Sequence, residues 1–177
     1  NPPRAGPALA PRRPVRTLLR MPETARNRLL HDLPAVTVRT CSVSEMDNNV
    51  YLLTSKTTGA QVLIDAAAEA EAIRDLIASA ADDTPCEPRL EMIVTTHRHW
   101  DHVRALEEIL SETGATHYAS FLDSPAIPAE VDVELREGDS IEFAGLQLPI
   151  IILRGHTPGG AALVASIDGV TNLFVGD

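Results

Sequence analysis

The chain has 177 residues, 44% of them hydrophobic, and a formal net charge of -10. One domain of ordinary size accounts for that length, and the apolar fraction excludes disorder throughout. No stretch approaches the roughly 18 apolar residues of a membrane-spanning helix, and two cysteines, Cys41 and Cys86, are too few for a disulfide scaffold and not spaced as a metal knuckle.

Charge is unevenly spread. Residues 1–40 hold eight arginines against Glu23 and Asp32, together with seven of the thirteen prolines. Residues 41–177 hold Lys56 and six arginines against 23 acids. A segment rich in Arg, Pro and Ala without apolar periodicity buries too little surface to offset its ordering entropy. Residues 1–34 are therefore expected to form an irregular leader and residues 35–177 the folded domain. No apolar core follows the basic start, which argues against a secretory signal. An organellar transit peptide, a plain tail, or residues ahead of a start at Met21 all fit. The acidic balance of the folded part argues against nucleic acid, whose phosphates need basic partners.

Ala35 to Val43 carries Val36 and Val38 on one face and reads as a strand. Val50–Thr54 and Gln61–Asp65 read as a hairpin around Gly59. Ile73, Leu76, Ile77 and Ala80 mark one face of a helix, on which Glu69, Glu71 and Asp75 form the solvated side. Leu90–Thr95 is a short apolar run, hence a buried strand. Val103, Leu106, Ile109 and Leu110 mark a second helix closed by Gly114, with Glu107 and Glu108 exposed. Ala115–Ala119 is the next strand, in which His117 and Tyr118 are expected to pack ordinarily. Two hairpins follow, Ser140–Phe143 with Leu146–Leu153, and Ala162–Ile167 with Asn172–Val175. The second turns at Asp168-Gly169, residues that tolerate positive φ. The order predicts layered α/β with a mixed sheet. His31, in the leader, has no evident partner.

Three elements carry chemistry. The first is Thr95-Thr96-His97-Arg98-His99-Trp100-Asp101-His102, leading from a buried strand to a helix. In extended backbone His97 and His99 project to one side, where two imidazoles can share a metal at about 2.0–2.1 Å. Asp101 and His102 fall at the turn, aimed differently, which suits a second metal nearby. A solvated histidine-rich loop is the bland alternative. The second element is Gly155-His156-Thr157-Pro158-Gly159-Gly160, a fixed turn whose lone histidine alone would read as a turn residue. Beside His97 and His99 it supplies a third nitrogen ligand and leaves a position for water. The third is Phe174-Val175-Gly176-Asp177. Its aspartate alone reads as a cap or turn residue; in this company a carboxylate bridging two metals is the better reading.

H-x-H-x-D-H, then G-H-T-P-G, then G-D, resembles the metallo-β-lactamase superfamily of metal-dependent hydrolases, from about Cys41 to Asp177. Asn48-Asn49-Val50-Tyr51-Leu52-Leu53 and Val62-Leu63-Ile64-Asp65 look like its opening strands. Trp100 and the Asn49/Tyr51 opening look most like its glyoxalase II branch of thioester hydrolases. The resemblance implies a four-layered αβ/βα sandwich with mixed sheets, its C-terminal part missing here. It implies that His97, His99 and His156 hold one metal, Asp101 and His102 a second, and that Asp177 bridges both. Asp65 would orient ligands by hydrogen bonding; the plainer reading is a polar residue ending a strand. Arg104 and Ala105 stand where the family usually has glycines. Arg154 stands where proline is common; a surface ion pair is the expected reading.

Two divalent ions are implied, with zinc expected and iron or manganese compatible with the donors. They would generate hydroxide near neutral pH to attack a carbonyl carbon, with Asp101 as the catalytic side chain that steadies the nucleophile. The expected activity is cleavage of a small thioester or ester, as by a hydroxyacylglutathione hydrolase. A lactonase or β-lactamase, a mononuclear-iron persulfide dioxygenase, and a degenerate metal-binding domain are the alternatives. A tRNA-maturing nuclease is disfavoured for want of a basic stripe. A small-molecule substrate, no nucleic-acid or membrane partner, and a cytoplasmic location are expected. Substrate and oligomeric state stay open.

Overall fold

Alternating apolar residues and short turns set the first half of the main sheet. β1 (Arg28–Asp32), β2 (Val36–Val43), β3 (Asn48–Ser55) and β4 (Ala60–Ile64) pair antiparallel in chain order. The chain then crosses over through α1 (Ala70–Ser79) to β5 (Arg89–Thr95), and through α2 (Leu106–Thr113) to β6 (Thr116–Ser120). Both crossovers return the strand parallel to its predecessor, as connections of a dozen or more residues allow. β7 (Val133–Leu135) adds a last parallel strand and completes seven, in order β1-β2-β3-β4-β5-β6-β7. A second, wholly antiparallel sheet holds β8 (Ser140–Phe143), β9 (Leu146–Leu153), β10 (Gly160–Ile167) and β11 (Val170–Phe174), in order β11-β10-β9-β8. The computed structural model describes residues 27–177.

The period-two side-chain alternation of the strands explains the layers. On one face of the large sheet Cys41, Leu52, Leu63 and Ile93 pack with Ile73 and Leu76 of α1 and Leu106 and Ile109 of α2. On the other, Val38, Leu53, Val62 and Val94 pack with Phe143, Leu148, Ile150 and Leu163 of the small sheet. Each such fully buried side chain contributes about 1.5–3 kcal/mol relative to exposure. Strands buried on both faces read as nearly continuous apolar runs. Hence β4 is buried at all five positions, where the alternation of a one-sided strand is absent. Among the described residues the layers number three: helices, large sheet, small sheet. The outer face of the small sheet presents Ile151, Leu153 and Leu173 to solvent.

Several expectations need revision. The leader was expected to reach residue 34, yet Arg28–Asp32 forms the edge strand of the large sheet, with His31 opposite Val38. Residues 1–26, the rest of that stretch, lie outside the described residues. β7 is also new: three residues, two of them exposed, leave no periodicity to read. The second helix begins at Leu106 rather than Val103, because Trp100–His102 forms a separate one-turn 3-10 helix. Glu69 does more than face solvent, since its carboxylate accepts the Ser44 N–H at 2.7 Å. The Asp168-Gly169 turn is as read, with φ of 51° and 81°, the pair of positive angles a two-residue type I′ hairpin requires. Among the described residues no helix is long and apolar enough to cross a membrane.

Candidate metal centre

The three motifs meet at one end of the two sheets. His97 and His99 lie just past β5, His102 closes the 3-10 turn, His156 sits between β9 and β10, and Asp177 follows β11. The large sheet thus supplies three imidazoles, and the small sheet supplies the fourth and a carboxylate. A main-chain bond from Ala161 N–H to the Thr96 carbonyl, 2.7 Å, joins the two sheets directly beneath them. Gly176 permits the last approach. A Cβ there would stand 2.5 Å from Thr96 Oγ1 and 3.2 Å from His97 Nδ1, so the chain passes where only glycine fits.

One nitrogen each from His97, His99 and His156 and one oxygen from Asp177 all lie within 4.8 Å of one another. His97 Nε2 and His156 Nε2 are 3.3 Å apart, and Asp177 Oδ2 is 3.2 Å from His156 Nε2. The edge of a tetrahedron built on bonds of about 2.0–2.1 Å is about 3.3–3.4 Å, so these spacings fit one first-row cation. On the far side of the same carboxylate, Asp177 Oδ1 is 2.9 Å from His102 Nε2, and Asp101 Oδ2 is 3.7 Å from that nitrogen. Asp177 therefore turns one oxygen toward His156 and His97 and the other toward His102, whose Nε2 Asp101 also approaches.

Buried hydrogen bonds aim the imidazoles. Asp65, 1% exposed and in the left-handed region at φ 59°, follows β4 directly. An aspartate adopts that conformation more readily than most residues. Its carboxylate accepts from Thr96 N–H at 2.7 Å, Thr96 Oγ1–H at 2.7 Å and His102 Nδ1–H at 2.9 Å. Thr96 has spent its one hydroxyl hydrogen on Asp65, so His97 Nδ1, 3.0 Å away, must donate to it. His97 is thereby left with Nε2 as the free lone pair, the tautomer a metal ligand needs, while His102 Nε2 points at Asp177 Oδ1, 2.9 Å away, and would give up its proton there to a cation. Asn48 donates to Asp101 Oδ2 at 2.9 Å and to its main-chain carbonyl at 3.1 Å.

The same contacts set the charges. Burial, reinforced by the neighbouring His102, pushes His97 below the ordinary imidazole range. Burial also pushes His102 down, but the hydrogen bond and charge of Asp65, with Asp177 and Asp101, outweigh it and raise it. Burial pushes Asp101 up, yet the Asn48 hydrogen bond and the adjacent His102 hold it below the usual carboxylate range. Around the rim Trp100 is 61% exposed with the Arg104 guanidinium 5.4 Å over its ring. Arg154 is exposed and, among the described residues, makes no ion pair, unlike the surface pair expected of it. His117 is fully buried, and Tyr118 packs against the core between the two sheets. Asp123 has no local pattern to mark it, since its partners are main-chain groups and a residue distant in sequence; Thr96 and Thr157 stand inside the histidine motifs, but their hydrogen bonds to Asp65 and Asp123 span 31 and 34 residues.

The profile of the metallo-beta-lactamase superfamily matches residues 43–177. A hydroxyacylglutathione hydrolase from a Synechococcus strain is 33% identical over 132 residues, 74% of this chain and 48% of that protein. One from Roseobacter denitrificans is 36% identical over 116 residues, 66% of this chain and 42% of that protein. The chain thus spans about half the length, or less, of these relatives. Among solved structures, a Cronobacter sakazakii metallo-beta-lactamase mutant superposes with a TM-score of 0.66 at 22% identity, covering 85% of this chain and 63% of that one. ETHE1 from Myxococcus xanthus gives 0.59 at 27% identity, covering 71% and 52%.

Proposed function

The chain belongs to the metallo-β-lactamase superfamily, and from that premise we propose that it is the metal-binding part of a hydrolase that cleaves a small thioester, as its hydroxyacylglutathione hydrolase relatives are named for doing. The observation that carries the reading is the Asp177 carboxylate, with one oxygen 3.2 Å from His156 and the other 2.9 Å from His102. A carboxylate so placed joins two donor sets. His97, His99 and His156 form one; Asp101 and His102 form the other. Divalent cations held there, zinc above all, would lower the pKa of water and polarise a carbonyl.

The chain's own residues do the rest. Asp65 and Thr96 hold His102 and His97 by Nδ1, with Nε2 of each turned into the centre, so these imidazoles need no reorientation on binding. Asn48 fixes Asp101, whose carboxylate accepts a hydrogen bond from the attacking water and orients it toward the carbonyl carbon. Buried His97 stays neutral as a ligand must, while half-exposed His99 and exposed His156 leave the solvent side open to substrate. The acidic balance of residues 41–177 supports a small-molecule substrate over nucleic acid, and a cytoplasmic location belongs to the same reading.

The test combines metal content with turnover. Purified protein should retain divalent metal, and it should release free thiol from a hydroxyacylglutathione. Asp101→Asn should keep the cation held by His97, His99 and His156 and lose roughly 10²–10⁴-fold in rate, whereas His99→Ala should lose that cation as well. Equal thioester turnover by wild type and His99→Ala would overturn the reading. Turnover of a chromogenic β-lactam with none of the thioester would move the substrate to the β-lactamase alternative.

A further inference from the structure

We propose that Asp123, which the reading above does not use, is a positioning residue that fixes the spacing between the two histidine loops and so sets the affinity of the centre for its cation. The inference rests on the proposed cation site. Asp123 lies in the turn after β6 and is 1% exposed. Its Oδ2 accepts Arg98 N–H at 3.1 Å and the Thr157 hydroxyl at 2.7 Å, and its Oδ1 accepts Gly159 N–H at 2.9 Å.

Those donors are not random. Arg98 stands between His97 and His99, and Thr157 follows His156 immediately. A single buried carboxylate therefore grips both loops at the residues adjoining their imidazoles. Among the described residues no arginine, lysine or histidine pairs with Asp123, so its buried oxygens depend on these three donors. The fit beside it is close. A Cβ at Gly159 would lie 2.6 Å from Ser120 Oγ, 2.7 Å from Leu122 Cβ and 2.9 Å from Asp123 N. The Ala161 to Thr96 bond joins the same loops at the strand ends, two residues beyond Gly159. Asp123 adds attachments at Thr157 and Gly159, closer to His156, where that bond does not reach.

The rule for groups that hold ligands through hydrogen bonds is that their loss weakens metal affinity by about 10- to 100-fold. Because Asp123 acts through loop backbone, the lower figure applies. The experiment compares wild type, Asp123→Asn, Thr157→Val and Thr157→Ser by zinc competition with a chromophoric chelator, and by the visible bands of the cobalt(II)-loaded proteins. Asp123→Asn puts an NH₂ where donors converge; it should weaken zinc binding about tenfold and alter the cobalt bands, which report coordination symmetry. Thr157→Val should move both readouts less, in the same direction, and Thr157→Ser, which keeps the hydroxyl, should match wild type. Asp123→Asn and Thr157→Val both binding zinc within about twofold of wild type, with unchanged cobalt bands, would overturn the proposal. Should Asp123→Asn fail to fold, the Thr157→Val and Thr157→Ser pair decides by the same criterion. Wild-type protein that takes up no zinc overturns the metal reading itself, a result distinct from tight binding by all four.

Discussion

His117 has no exposed surface, yet both ring nitrogens are satisfied: Nδ1–H donates to the Glu130 carbonyl at 2.7 Å, and Nε2, 2.8 Å away, accepts from Thr95 Oγ1. Burial lowers its pKa, against a smaller opposite pull from the Glu130 carbonyl and Asp132, so the folded protein holds it neutral. Unfolding frees the imidazole to bind a proton below about pH 6.5. The unfolded chain then carries more protons than the folded one, and stability falls as pH falls through that window. Between pH 6.5 and 5.0 this one group can remove at most about 2 kcal/mol. Urea midpoints of wild type and His117→Gln at several pH values should therefore diverge in slope, the variant losing less on acidification. Parallel slopes would refute the assignment. The same residue shows what sequence conveys at this scale. That His117 packs ordinarily is readable from its place in an apolar strand, but its two partners are not, since Glu130 contributes only a carbonyl. Asp123 is hidden for the same reason, whereas Asp65 was found only through the likeness of Val62-Leu63-Ile64-Asp65 to a known opening strand.

Among elements, the Gly155–Gly160 loop is where local sequence and packing constrain each other most. Gly159→Ala would drive a methyl against Ser120, Leu122 and Asp123 at contacts below 3.0 Å, two of them backbone-anchored. Overpacking of this kind costs about 1–3 kcal/mol, and relief requires the loop to lift from Asp123. The variant should therefore melt lower than wild type even after metal removal, as scanning calorimetry would register. An unchanged melting temperature would mean the loop is not seated as described. Elements with a strong physical signature were legible: α1 and α2 from their apolar stripes, the β10–β11 hairpin from Asp168-Gly169, β5 from its apolar run. β1 was hidden by its setting, because Arg28, His31 and Asp32 lie in a basic, proline-rich stretch that masks an edge strand. β7 is too short for periodicity to exist. The start of α2 was displaced because the His99-to-Val103 backbone is committed to aiming Asp101 and His102 rather than to continuing a helix.

At the scale of the molecule, the centre draws donors from both sheets, so a bound cation fastens one sheet to the other. A ligand that binds only the folded state stabilises it by about 4 kcal/mol at a thousandfold excess over its dissociation constant. Removing metal with a chelator should accordingly lower the melting temperature by several degrees, roughly 2–4 °C per kcal/mol at this size. Restoring zinc should restore it, and a melting temperature indifferent to chelation would count against the centre. The layered architecture and the meeting of the three motifs were legible at this scale because each motif ends a strand, and strand ends of a layered fold gather at one edge. What sequence did not convey is how the two sheets are locked, through Ala161 to Thr96 and through Asp123. The division of the chain has a consequence for its synthesis. All seven strands of the large sheet precede Arg136 and all four of the small sheet follow Asp139. Translation from the N-terminus completes the first sheet while the second is still within or behind the ribosome. Until β8–β11 emerge, Val38, Leu53, Val62 and Val94 face water, and a nascent chain stalled there would be greasy, chaperone-dependent and short of two zinc donors, His156 and Asp177.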